Sequence, residues 1–112
     1  MDCTDKKEPK VVGLTLETLV LLEDAAVGYG RSKSALVMDL SRRMEESGKP
    51  LHGRVTFVTS RLAQRTSRII LMLTAKERAQ LHRAVVAARV ADTSEFIEGT
   101  LLLLNLHGLE AL

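Results

Sequence analysis

Four cations stand together without an acid between residues 49 and 67: Lys49, Arg54, Arg61 and Arg65, a local charge of +4. The tail 1–9 and residues 10–48 each sum to −1, and residues 68–112 sum to zero, so one short stretch carries the excess of the chain's net +2. Clustered positive charge attracts phosphate and is the footprint expected of a nucleic-acid partner, although a solvated basic linker has the same composition. Spacing supports little other chemistry. His52, His82 and His107 lie far apart, with no nearby cysteine and no metal-ligand spacing. Ser32 and Ser34 have no local base, and capping a turn accounts for both. Gly28 and Gly30 belong to no phosphate-cradling loop, because neither a GxGxxG nor a Walker pattern occurs. No residue cluster supports an enzyme, and no cofactor, metal or small-molecule substrate is expected.

Composition bounds what could position such a site. The chain has 112 residues, 46% of them hydrophobic and 27% charged, enough for one globular domain with a modest core. Its aromatics are Tyr29, Phe57 and Phe96, with no tryptophan. A core of Leu, Val, Ile, Met and Ala suits packed helices, and scarce aromatic rings argue against a single-stranded nucleic-acid platform. Cys3 is the lone cysteine and sits in a polar tail, so the default setting is reducing and cytoplasmic. The segment MDCTDKKEPK has no apolar core of a signal peptide, and unbroken apolar runs such as Leu101 to Leu104 are far too short to span a membrane.

An internal repeat supplies the organisation. KVVGLTLETLVLLEDAAVGYGRSKSALVMDLSRRM and RIILMLTAKERAQLHRAVVAARVADTSEFIEGTLLLL each open on a short apolar segment, continue as a helix, break at a polar turn and resume as a helix. Val12 and Leu14 alternate in the first strand, and Ile69, Leu71 and Leu73 in the second, where both faces are largely apolar. Thr15 is the expected first N-cap, and Thr74 with Glu77 completes a capping box. Leu19, Leu22, Ala26 and Tyr29 recur at helical spacing in one half, Leu81, Ala84, Val85 and Ala88 in the other. The first break has Gly30 for a left-handed cap and Ser32 as the next N-cap. The second has Val90 where the first has Gly30, with Asp92 and Glu95 as a capping box. The later helices are expected over Lys33 to Ser47 and Thr93 to His107, stopped by Gly48 and Gly108. The domain reading is therefore a disordered tail 1–9, a repeat over 10–48, a basic linker 49–67 and a second repeat over 68–112, interlocked as one domain.

The turn and helix YGRSKSALVMDLSRRM, with its G-x-S-x-S spacing, resembles ribbon-helix-helix (MetJ/Arc-type) DNA-binding proteins. RIILMLTAKERAQLHRAVV followed by TSEFI resembles the antitoxin-like branch of that superfamily, and together the two cover most of residues 10–107. Tandem single-chain forms are similar to TraY-type relaxosome proteins of conjugative plasmids. The resemblance implies a mainly α fold with a short two-stranded antiparallel ribbon, arranged as a tandem pseudo-dimer. One strand–helix–helix unit cannot bury its own apolar face. Two units interlock, and a covalent link replaces association entropy with a modest loop-closure cost.

In that family the ribbon lies in the major groove of duplex DNA and the second helices meet phosphates with their N-termini. Carried over to this chain, Arg31, Ser32, Lys33 and Ser34 form a phosphate clamp, and Asp92 and Glu95 put negative charge at the corresponding place in the second repeat. The outward ribbon positions are Val11, Gly13, Arg68, Ile70 and Met72, of which Arg68 alone can fork onto guanine while the apolar ones touch thymine methyls. The segment Arg54 to Thr59 has strand-like alternation and either covers this ribbon or, with Arg61 and Arg65, supplies basic groove contacts. The last helix is apolar nearly all round, as a central core helix or a contact between copies or with a protein partner. Two functions follow from the resemblance. One is a non-enzymatic DNA-binding accessory factor or repressor, from a plasmid or mobile element. The other is a degenerate, partner-binding or toxin-neutralising module without DNA binding.

Overall fold

Period-two alternation in EPKVVGL and SRIILML turns Val12, Leu14, Ile69, Leu71 and Leu73 to one side, each 5% exposed or less. These segments are the strands β1 (Glu8–Leu14) and β2 (Ser67–Leu73) of a computed structural model that describes residues 6–51 and 65–112. The helices are α1 (Leu16–Tyr29), α2 (Lys33–Ser47), α3 (Ala75–Ala88) and α4 (Thr93–His107), followed by a 3-10 turn at Leu109–Ala111. The fold is mainly helical with one two-stranded antiparallel sheet. Strand, helix and second helix occur twice, with 7, 14 and 15 residues in both halves. β1 starts at Glu8 and β2 at Ser67, slightly ahead of the boundaries read from sequence, because each extends to match its partner.

Pairing joins the halves through their middles. Glu8 lies opposite Leu73 and Leu14 opposite Ser67, so Val11, the central residue of β1, faces Ile70, the central residue of β2. The helices cross over as well: α2 packs most extensively on α3, and α1 packs on α4. Leu22, Leu36, Val37, Met44, Leu81, Ala84, Phe96 and Ile97 fill the space beneath the sheet. A buried leucine or isoleucine contributes about 1.5–3 kcal/mol by leaving water, and neither half encloses these side chains alone. Past α2, the Leu51 N–H donates to the Ala88 carbonyl at 2.9 Å and the side chain is fully buried.

Local signals explain the helix ends. Thr15 Oγ1 accepts from the Thr18 N–H, and Thr74 with Glu77 makes both halves of a capping box. Gly30 takes the left-handed conformation at φ 64°, where the Arg31 N–H reaches the Ala26 carbonyl at 2.9 Å. Three expectations change. The residue that closes α3 as Gly30 closes α1 is Arg89 at φ 57°, not Val90, because the second turn is one residue longer. Only half of the Asp92–Glu95 box forms: Asp92 accepts the Glu95 N–H, without the reciprocal bond that α3 has. Tyr29 ends α1 46% exposed instead of extending the buried stripe, since the helix closes there. α4 is a core helix, burying Phe96 to Leu101 together with Leu103 and Leu104, though Leu106 lies exposed near its end.

Candidate nucleic-acid interface

The outer face of the ribbon carries the odd positions of β1 and the even positions of β2. Across it Pro9 faces Met72, Val11 faces Ile70 and Gly13 faces Arg68. Val11 and Ile70 are each 60% exposed, Met72 is 42% exposed and Arg68 is exposed, whereas Gly13, the fifth outward position expected from sequence, is half-buried because Arg65 lies 3.7 Å from the place its side chain would take. Among the described residues, none covers Val11, Ile70 or Met72. Arg54, Arg61 and the 54–59 segment lie outside the described residues. Arg68 is exposed and makes no ion pair among the described residues.

Each end of the ribbon is tied to the start of a second helix by a serine at the same position. Ser34, second in α2, accepts the Met72 N–H at 3.1 Å. Ser94, second in α4, donates to the Gly13 carbonyl at 2.5 Å. Met72 and Gly13 are themselves the sixth residues of their strands. Two helix N-termini, each with partial positive charge, thus flank the exposed strands.

The two N-termini differ in how their first N–H groups are satisfied. At α2, Ser32 Oγ accepts the Ala35 N–H, there is no acid in the first turn, and the N–H groups of Lys33 and Ser34 have no acceptor among the described residues. Nearby cations are partly engaged. Arg31 donates to both Asp39 oxygens at 2.9 and 3.2 Å, Arg42 donates to the same carboxylate, and the Lys33 ammonium sits 4.0 Å from Glu23. Lys33 remains 41% exposed and Arg31 47% exposed, which keeps both in reach of solvent.

At α4 the cap is a carboxylate. Burial pushes the Asp92 carboxyl up, but the Arg65 guanidinium at 2.7 Å and the N–H groups of Glu95 and Ser94 outweigh it and hold it below its ordinary value. Asp92 thereby occupies the anion position of its own helix. Arg65, expected from sequence among the phosphate contacts, is instead only 10% exposed and turned to Asp92. The acidic turn is accordingly less negative than its residues suggest.

Asp39, Arg42 and Ser94 had no role in the sequence reading. A serine after the first residue of both second helices was the one available signal, and the Arg31–Asp39 pair joins residues eight apart, a spacing that no local pattern marks. His82 and His107 are exposed, and no cluster of metal-ligand side chains exists among the described residues. No described helix is long and apolar enough to cross a membrane. No protein-family model, no curated protein and no solved structure matches this chain.

Proposed function

We propose that the chain is a tandem ribbon-helix-helix pseudo-dimer that binds duplex DNA as a non-enzymatic accessory factor or repressor. One observation carries the reading: an antiparallel ribbon, centred on the exposed Val11 and Ile70, has a helix N-terminus fastened to each end. The major groove of B-DNA, about 12 Å wide, admits a two-stranded ribbon. In that pose the N–H groups of Lys33 and Ser34 and the side chains of Lys33, Ser32 and Arg31 approach a backbone phosphate. A phosphate beside Arg31 competes with Asp39 for the guanidinium fork, which exposure makes a low barrier.

The apolar character of Val11, Ile70 and Met72 favours a second reading, a protein-binding surface on the same scaffold. Fluorescence anisotropy on a generic duplex of about three helical turns, across a salt series, separates the two. DNA binding predicts micromolar affinity that falls steeply with salt, and Arg31→Ala/Lys33→Ala shallows the slope by about 1–2. No binding at low salt supports the protein-binding reading.

A further inference from the structure

The outer ribbon carries a hydrogen-bonding side chain at one end only. Arg68 is the second residue of β2, and the second residue of β1 is Pro9. Antiparallel pairing sets Arg68 across from Gly13 at one end and Met72 across from Pro9 at the other, with Val11 and Ile70 between. Gly13 has no side chain, and Arg65 lies 3.7 Å from the place one would take. A ribbon of two identical strands shows the same residues at both ends, and reads a palindrome. This ribbon does not.

Each pair meets different chemistry in a major groove. A guanidinium donates a two-pronged pair of bonds to O6 and N7 of guanine. Valine, isoleucine and methionine offer no strong donor; they fit the thymine methyl and leave the exposed polar edge of a G·C pair without a partner. The backbone grip is offset the other way. The α2 N-terminus, with Lys33, stands at the Met72 end, while at the Arg68 end the α4 N-terminus is already engaged by Asp92.

We infer that the chain recognises a non-palindromic duplex site in one orientation, with a guanine read by Arg68 on one side of an A·T-rich centre. The inference rests on the DNA-binding reading and adds its specificity. Pro9 is the counterpart of Arg68, and an arginine there places a guanidinium at both ends of the ribbon.

The test is selection from a pool of duplexes of about two helical turns with a randomised centre, using the full chain, Arg68→Lys and Pro9→Arg. All three are checked by amide spectra for an unchanged fold. The expected wild-type consensus has one guanine displaced to a single side. Arg68→Lys keeps the charge but loses the fork, so preference at that guanine falls on the order of tenfold with the salt slope kept. Pro9→Arg gains a guanine at the mirror position. A palindromic wild-type consensus, binding with no enriched sequence, or a guanine preference unmoved by Arg68→Lys overturns the inference and leaves DNA binding standing. No retention of any duplex at low salt overturns the DNA-binding reading itself.

Discussion

The starts of α2 and α4 occupy the same place in their halves and solve the same problem by opposite chemistry. Both follow a left-handed residue, both have a side-chain N-cap, and both send their second residue, a serine, to the neighbouring strand. At α4 the cap is Asp92, whose charge satisfies the helix and is itself held by Arg65. At α2 the cap is a neutral serine, which leaves N–H groups and positive potential facing solvent. The difference teaches that one position can satisfy its helix from within or leave its N–H groups available to an external anion. An internal anion closes the site to an external one.

The largest expected effect converts one end into the other. Asp92→Ser/Glu95→Ala keeps a hydroxyl cap, removes two negative charges and releases Arg65, so affinity for a generic duplex rises about tenfold with a steeper salt slope. Unchanged affinity would show that the α4 end lies away from DNA. Next in size is a stability contrast read by urea denaturation. Arg65→Ala strips a mostly buried partner from Asp92 and costs about 1 kcal/mol, whereas Arg31→Ala breaks an exposed pair and costs well under that. Equal losses would remove the distinction drawn between the two pairs.

Acid titration sharpens the same contrast. The folded Asp92 carboxyl lies below its unfolded value, so its stabilising share is complete above the ordinary carboxylate pKa, about 3.9, and is lost as pH falls through the folded value. Thermal melts between neutral pH and pH 3 therefore fall less for Asp92→Asn than for wild type; matching slopes would assign the acid sensitivity elsewhere. The smallest effect belongs to the preceding turns. Arg89→Gly relieves a left-handed arginine that Gly30 avoids in the first half, and stabilises by about 0.5 kcal/mol. A loss of stability would mean that the Arg89 side chain contributes more than its backbone costs.

Much of the fold was legible because its signals are local. Ser32 and Asp92 before the second helices, with Gly48 and Gly108 after them, mark α2 and α4 to the residue. Alternation in the strands separates Val12 and Leu14 from Val11, and Ile69 from Ile70. The site was legible only in part, since its contacts join distant residues. Ser34 meets Met72 across 38 positions and Arg65 meets Asp92 across 27, and neither pairing leaves a mark in either segment. Arg65 looked like a free cation because charge is visible in sequence and burial is not. Arg89 was missed because arginine gives no turn signal, so the extra residue in the second turn shifted the comparison to Val90.

The central claim is that the outer ribbon and the α2 N-terminus face duplex DNA together. Titrating an isotope-labelled full chain with a duplex of about two helical turns, at low salt and followed by amide NMR, tests it most directly. The account predicts that Val11, Gly13, Arg68, Ile70, Met72, Lys33 and Ser34 shift first and most, while amides along α3 and the end of α4 hold still. Shifts concentrated on α3 or on the Leu106 end of α4, with the ribbon unmoved, would contradict it.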